Sequence, residues 1–275
     1  MDAAPSPVRI PVATVTVAAY RFVFTRLGLF LELAWLPLLL LLAVAIMPVW
    51  LPLLVAPGND SAVLRLLPDV AQLVAGGLCL TAFAVRWHQM ALFPVRAEAG
   101  ARSWFRPWLR FLAYTLAFYL VNLAMLGVVL LLAGGGDLSE LDQVLVAGFA
   151  VAIALPAWLG MARLSLIFPA AAYGQPLGPG AAWRAMRGNT WRLIACGALA
   201  GLPLVLSVVI VLGAVFSALD MPWGDLQPDN PALAPPMGLF LLAGVIDTVV
   251  NFLIVALGAS ILADCYRRLV LAQES

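Results

Sequence analysis

Six long stretches of this 275-residue chain consist mainly of apolar side chains. Each has at least the roughly 20 residues that a helix needs to cross a hydrocarbon layer of about 30 Å. Alternation with a period of two is absent from them, and lipid offers no partner to an unpaired backbone group. The pattern therefore predicts membrane-spanning helices rather than barrel strands. The stretches are residues 27–47, 67–93, 108–133, 144–172, 191–219 and 237–262.

Composition supports the same class of protein. The chain is 64% hydrophobic and only 11% charged, whereas a soluble domain is about half apolar and about a quarter charged. We predict an all-α, polytopic membrane protein with six transmembrane helices in three hairpins and short cytoplasmic interfacial helices. Residues 27–268 would form the membrane domain, residues 1–26 a cytoplasmic interfacial segment and residues 269–275 a short cytoplasmic tail.

The basic residues predict the orientation. All 15 of them are arginines, and all except Arg65 lie in or around the connections on one side of the predicted spans. Basic residues in short loops hold those loops on the cytoplasmic side, whereas acids contribute little to orientation. We therefore predict that both termini lie in the cytoplasm. The opposite connections contain Asp60, Asp69, Asp137, Glu140, Asp142, Asp220, Asp225 and Asp229.

Short aromatic and basic segments precede the predicted hairpins. AAYR at 18–21 is echoed by AAWR at 181–184 and, more loosely, by SWFR at 103–106. These echoes indicate either a repeated hairpin or coincidence in a chain of few residue types. Residues 10–24 fit a helical face, although VATVTV also alternates like a strand; we favour a helix.

The segment AAWRAMRGNTWRL, residues 181–193, combines three arginines with two tryptophans. In a helix, Trp183 and Met186 share one face, and Arg184 and Arg187 share the other. We expect this helix to lie in the membrane interface. The following Gly188 is suited to end it.

The next helix needs a residue to cap its first turn. Asn189 or Thr190 suits this role, because a side-chain oxygen can accept from the free amides of a helix start.

Two interpretations of this segment remain open. It is either an orientation signal and interfacial anchor, or a recognition site for an anionic lipid headgroup or a protein partner. We do not expect nucleic acid as a partner, because the net charge of the chain is only +1 and such binding usually needs many phosphate contacts. The candidate contact residues are Trp183, Arg184, Arg187, Trp191 and Arg192, with Arg106, Arg110 and Arg163 completing a groove.

Several chemistries lack the residues that they require. Without lysine there is no P-loop or Schiff-base lysine, and the single histidine, His88, excludes multi-histidine metal sites. The three cysteines form no CxxC pair. We therefore expect no cofactor, no metal site and no enzymatic activity, with an intramembrane enzyme as a minor alternative. His88 is either a solvated interfacial residue or a proton relay.

Ionisable groups inside membrane spans are costly and suggest function. Asp247 lies about ten residues from the outer end of its span, with Asn251 one turn further on. Its carboxyl is either a structural link between helices or a proton or cation site. Glu32 can pair with a nearby arginine, and Arg163 lies close to the cytoplasmic boundary. These four residues form a candidate polar intramembrane site.

The motifs FLELAWLP (30–37) and RLSLIFPAAAYGQPLGPGAAWRAMRGNTWRL (163–193) resemble a group of bacterial multipass proteins. This group looks related to the YciC-like proteins and to the membrane-anchor domain of glycerophosphodiester phosphodiesterases. The resemblance implies a six-helix inner-membrane protein and brings no catalytic residues. The phosphodiesterase barrel itself has no counterpart, because this chain has one histidine and mostly membrane-embedded residues.

Two functions fit these observations. The first is a non-enzymatic scaffold or envelope-maintenance protein of the inner membrane. The alternative is a small secondary transporter or lipid-handling protein that uses Asp247. The expected partners are membrane lipids, mainly anionic, and a membrane or cytoplasmic protein.

Overall fold

A computed structural model of the chain describes residues 8–47, 62–92, 105–133, 140–175, 177–218 and 237–273. Helices account for nearly all of these residues, and no strand occurs among them. The prediction of an all-α fold is therefore confirmed. In chain order the helices are α1 (Val12–Phe24), α2 (Leu27–Ala45), α3 (Ala62–Leu92), α4 (Phe105–Ala133), α5 (Glu140–Leu164), α6 (Ile167–Tyr173), α7 (Pro179–Ala185), α8 (Thr190–Ala218) and α9 (Met237–Leu269).

Six stretches of the described helices are long and apolar enough to cross a membrane, which confirms the predicted polytopic class. The 33 residues of α9 extend about 50 Å at 1.5 Å per residue, so this helix is longer than a hydrocarbon layer is thick. The candidate spans are Leu27–Val44, Leu66–Leu92, Phe105–Val129, Gly148–Tyr173, Thr190–Val211 and Gly244–Leu269.

The connections predicted on the outer side fall mostly in parts of the chain that the structure does not describe. Residues 48–61, 134–139 and 219–236 belong to these connections. Five of the acids assigned to these connections therefore lie outside the described residues, namely Asp60, Asp137, Asp220, Asp225 and Asp229. Arg96 and Arg102, from a connection predicted on the cytoplasmic side, also lie outside them.

Residues 12–24 form a helix, so the strand alternative for VATVTV is wrong. Val15, Ala19 and Val23 follow one another at a spacing of four residues and are almost completely buried. In a strand, Val17 would lie on the same face as Val15 and Ala19, but it is 64% exposed, so the burial follows the period of a helix. Burial of this continuous apolar face outweighs the β-branched composition of the segment.

The chain divides into two compact units, each made of several chain segments. The first consists of Met1–Val15, Trp87–Cys196 and Ile261–Ser275. Within it, α4 packs against α5 and α6, and α5 packs against α7. Phe168 of α6 contacts Phe111 and Phe118 of α4, with ring centroids 4.9 and 5.1 Å apart.

The second unit consists of Thr16–Arg86 and Gly197–Ser260. Its aromatic centre is Phe83 of α3, which is buried. The Phe83 ring meets Phe30 of α2 and Phe252 of α9 edge to face, with centroids 5.6 and 4.9 Å apart. Edge-to-face contact is a favoured arrangement of aromatic rings, so this trio joins three helices within the unit.

Candidate functional site

The chain turns between α7 and α8 at residues 186–189. Pro179 lies at the start of α7, where its missing N–H group leaves no helical hydrogen bond unmade. Gly188 adopts a left-handed conformation with φ of 79°, which a residue with a Cβ atom enters only at a cost. The predicted break of the helix at Gly188 therefore agrees with the backbone geometry of this turn.

Asn189 in this turn binds the beginning of the described chain. Its Oδ1 accepts a hydrogen bond from the backbone N–H of Ile10 over 2.9 Å, and its Nδ2 donates to the carbonyl of Val8 over 2.8 Å. Asn189 and Ile10 are both almost fully buried. The capping role predicted for Asn189 is wrong, because its side-chain oxygen pairs with Ile10 instead of the first turn of α8.

Arg192, one turn further along, strengthens this attachment. Its Nη1 donates to the carbonyl of Ile10 over 2.9 Å. Together with Asn189, it therefore holds the backbone of residues 8–10 by three hydrogen bonds. Arg192 was predicted as a contact for an anionic lipid, but in the structure its guanidinium already has a backbone partner.

Thr190 has a different partner from the one predicted. Its Oγ1 accepts a hydrogen bond from Nε of Arg163 over 3.1 Å. The hydroxyl itself lies 3.5 Å from the carbonyl of Met186, to which it donates. Thr190 thus contacts α5 and the preceding turn instead of capping α8 with its side chain.

Arg163 joins three helices of the first unit. Besides its hydrogen bond to Thr190 at the start of α8, its guanidinium lies over the ring of Trp183 in α7, 4.6 Å from the centroid. Such stacking of a guanidinium on an indole is attractive because the ring face is electron-rich. The described contacts therefore give Arg163 a structural role at the junction of α5, α7 and α8.

A cavity of about 780 Å³ lies beside the turn between α7 and α8. Its lining includes two arginines, Arg184 and Arg187, and both residues are exposed. Neither forms an ion pair with any residue that the structure describes. We call this space the arginine cavity; it is lined by Val8, Leu177, Ala181, Arg184, Ala185, Arg187, Gly188, Asn189, Leu269 and Val270.

The predicted groove is composed differently from this cavity. Arg106 and Arg110 lie on the first turns of α4 and are exposed, but they are not among the lining residues, and neither is Arg163. The expectation that these three arginines complete a groove with Arg184 and Arg187 is therefore wrong for the cavity described here. Instead, its other walls come from both ends of the chain, which a local sequence pattern cannot bring together.

The aromatic and apolar residues of the segment also separate. Met186 is completely buried, whereas Trp183 and Trp191 are 43% and 64% exposed. The expected common face of Trp183 and Met186 is therefore wrong, because Met186 closes α7 and turns into the interior of the first unit. The two tryptophans remain available at the surface.

Of the polar residues predicted inside spans, Asp247 and Asn251 contact each other. Nδ2 of Asn251 donates to Oδ2 of Asp247 and to its backbone carbonyl, both over 3.0 Å. Both residues are exposed on α9, and neither lines a cavity found among the described residues. Asp247 lies ten residues after Met237, about 15 Å along the helix.

Glu32 does not form the ion pair that was expected. It is exposed on α2, and among the described residues no arginine lies within ion-pair distance of it. Arg26, one candidate partner, lies instead over the ring of Phe22, 4.5 Å from the centroid. Of the four polar residues in the candidate site, only Asp247 and Asn251 contact each other among the contacts that the structure describes.

Sequence analysis missed an ion-pair cluster at the end of α9. Asp264 binds Arg268 over 2.9 Å and Arg267 over 3.4 Å. The spacings of three and four residues are those of neighbouring side chains on one helix face, so the pattern was available in the sequence. Both arginines that follow the predicted stretch 237–262 therefore have a carboxylate partner on the same helix.

His88 lies inside the first unit and not in solvent. It is 2% exposed, and its ring centroid is 5.8 Å from that of Phe111. Its Nδ1 has no hydrogen-bond partner among the residues that the structure describes. The interpretation of His88 as a solvated interfacial residue is therefore wrong. In the described part of the chain, no three histidine, cysteine or acidic residues are grouped so as to hold a metal ion.

The six apolar helices define a multipass α-helical membrane protein. Its distinctive features are the arginine cavity in the first unit and the exposed polar pair of Asp247 and Asn251 in the second. Comparison with protein families, with curated proteins and with solved structures finds no match to this chain. The resemblance to the YciC-like proteins and to the phosphodiesterase membrane anchor therefore stays a prediction.

Proposed function

We propose that this protein is a non-catalytic scaffold of the bacterial inner membrane, which holds another membrane protein through its last helix. The observation that supports this function is the polar pair of Asp247 and Asn251 on the exposed side of α9. The proposed occupant of this surface is a transmembrane helix of a partner protein with a hydrogen-bond donor at the matching depth.

A carboxyl that faces lipid is costly. Placing an aspartate at the centre of a transmembrane helix costs about 2.5–3.5 kcal/mol on insertion scales. The hydrogen bond from Asn251 offsets part of this cost but leaves acceptor positions on the carboxyl free. A donor on an adjacent helix satisfies those positions, since polar side chains in membranes bond across helices.

The surroundings of the pair suit the close approach of another helix. Gly244 and Thr248 lie on the same side of α9 as Asp247 and Asn251, at spacings of three and four residues. A Cβ atom at Gly244 would meet no other group within 4 Å. Small residues let helix backbones approach closely in a membrane, so a partner helix can reach the polar pair here.

The second candidate function, transport or lipid handling through Asp247, has less support. A transported proton or cation needs a path to the carboxyl, and Asp247 lines neither cavity found among the described residues. Its Oδ2 is already bound to Asn251 of the same helix. We therefore place this alternative second.

The proposed orientation has both termini in the cytoplasm. It rests on the arginine-rich connections, because such connections are retained on the cytoplasmic side. Val8 and Leu269, near the two ends of the chain, line one cavity, which supports both ends lying on the same side.

Site-specific photo-crosslinking in native membranes tests the partner helix. A photoreactive residue at Val255, one turn after Asn251, is expected to form an adduct with a transmembrane segment of another protein. The same group at Leu242, on the opposite side of α9 by helical spacing, is expected to form none. The double variant Asp247→Ala and Asn251→Ala should abolish the adduct.

Asn122→Ala provides a matched control. Asn122 is also exposed on a spanning helix and donates to the carbonyl four residues before it, as Asn251 does. This variant should keep the adduct. An adduct between two copies of this chain would show that the protein associates with itself and would contradict a separate partner protein. Loss of the adduct in Asn122→Ala as well would contradict the specific role of the α9 pair.

Asp247→Asn separates the two candidate functions. An amide can still bond across helices, so a scaffold should retain its adduct and its cellular function. A proton or cation site should lose function while the protein still folds, because the amide does not titrate. The second outcome would contradict the scaffold and favour transport.

A further inference from the structure

We propose that the arginine cavity binds one glycerophospholipid with an anionic headgroup, taken from the membrane leaflet beside it. The phosphate would lie between Arg184 and Arg187, and the glycerol and upper acyl chains would lie against the apolar wall of the cavity. This site is in the first unit and does not involve Asp247 or Asn251, so it stands independently of the scaffold function.

The charge of the cavity supports an anionic ligand. Arg184 and Arg187 both line the cavity, and both are exposed. Two nearby basic residues already have partners, since Arg192 binds Ile10 and Arg163 binds Thr190 and Trp183. Arg184 and Arg187 have no ion-pair partner in the described chain, and guanidinium groups match the geometry of a phosphate.

The position of the cavity along the spans supports a lipid headgroup. One candidate span begins at Thr190 and another ends at Leu269. Asn189 and Leu269, at these two span ends, both line the cavity. The cavity therefore lies at the level where apolar helices emerge from the hydrocarbon, which is the level of lipid headgroups.

Exposed tryptophans occur at the same level. Trp183 precedes Arg184 directly, and Trp191 is the second residue of α8. Both are well exposed. Tryptophan is enriched where the hydrocarbon meets the headgroups, because its ring is apolar and its N–H group is polar. The two side chains thus place this end of the first unit beside lipid.

The walls of the cavity distinguish a lipid from a free anion. The lining also includes four larger apolar residues, which are Val8, Leu177, Leu269 and Val270. A volume of about 780 Å³ lies in the range of pockets that enclose small organic ligands, which is about 300–1,000 Å³. Inorganic phosphate would leave most of this space and its apolar wall unused, whereas an amphiphile uses both.

The test is native mass spectrometry of the detergent-solubilised protein, titrated with phosphatidylglycerol, phosphatidylcholine or inorganic phosphate. Wild type is expected to bind one phosphatidylglycerol more tightly than phosphatidylcholine and to bind phosphate weakly. The double variant Arg184→Gln and Arg187→Gln should weaken phosphatidylglycerol binding roughly 30-fold, about 2 kcal/mol for two arginines near a membrane surface. Arg184→Lys with Arg187→Lys should recover part of this loss, because the charge remains.

The matched control is Arg106→Gln with Arg110→Gln. It removes the same charge from two exposed arginines that do not line the cavity. Binding in this variant should stay within about twofold of wild type, less than 0.5 kcal/mol. Equal losses in both double variants would show nonspecific charge attraction and overturn the site.

The comparison of ligands on wild type alone also tests the proposal, even if a variant fails to fold. Equal affinity for phosphatidylcholine and phosphatidylglycerol would contradict recognition of an anionic headgroup. Tight binding of inorganic phosphate without the lipid would identify a soluble anion as the ligand and overturn the lipid assignment.

Discussion

The side chain of Asn189 accepts a hydrogen bond from the backbone of Ile10, a residue 179 positions earlier in the chain. The same amide donates to the carbonyl of Val8, so one side chain satisfies two backbone groups of an extended segment. This relationship fixes residues 8–10 against the turn before α8. It also makes Val8 a wall of the arginine cavity.

Asn189→Ala is expected to destabilise the protein by about 1–3 kcal/mol, because the buried N–H of Ile10 would lose its partner. Unfolding in a denaturing detergent titration measures this change. Asn122→Ala serves as the control, since Asn122 is exposed and its described partners are Phe118 and Met161; it should change stability by less than about 0.5 kcal/mol. Equal losses of stability in the two variants would show that the attachment of residues 8–10 makes no specific contribution to the free energy of unfolding.

Phe83→Ala should be among the more damaging single substitutions in the second unit. The ring is 2% exposed and contacts both Phe30 and Phe252, so its removal leaves a cavity among three helices. The expected loss is about 3–5 kcal/mol. Thermal unfolding in detergent measures it, with Phe149→Ala as the control because Phe149 is 60% exposed. A loss below about 1 kcal/mol would contradict the role of Phe83 as an aromatic centre.

The contact between Arg163 and Trp183 can be measured by a double-mutant cycle. Arg163→Leu and Trp183→Leu are each expected to destabilise the first unit, and their combined effect should be smaller than the sum. The difference reports the stacking energy, which we expect to be about 0.5–2 kcal/mol. The cycle of Arg163→Leu with Trp191→Leu should be additive within about 0.5 kcal/mol. Additivity in both cycles would contradict an attractive contact.

Reporter fusions test the orientation predicted from the arginines. Fusions after Asp60, Asp137 and Asp229, which lie in the predicted outer connections, are expected to report the outer compartment. A fusion after Ser275 at the end of the sequence should report the cytoplasm. A cytoplasmic signal after any of the three aspartates would require a different pairing of the spans.

The spanning helices were predictable because their cause is local. A run of about 20 apolar residues must be helical in lipid, whatever the rest of the chain does, since its backbone groups have no other partners. The predicted stretch 67–93 lies almost entirely within the helix Ala62–Leu92, which shows how closely this local rule locates an element. The 13-residue helix at Val12–Phe24 is too short for this rule, and its cause is the buried apolar face instead.

The candidate site was only partly predictable. The sequence indicates that Arg184 and Arg187 lie close together, because they are only three positions apart in the chain. It does not indicate that Arg192 binds Ile10 or that Arg163 stacks on Trp183, because those partners come from distant segments.

The sequence by itself determined the class of protein, the six spans and the clustering of arginine with tryptophan in residues 181–193. Only the tertiary structure decided which polar groups already have partners. Asn189 could cap a helix or bind a distant backbone, and packing of Ile10 beside it selects the second. Met186 was equally able to face lipid or the interior until the first unit enclosed it. Hydrogen bonds and burial depend on which segments meet in space, and a local pattern of residues does not contain that information.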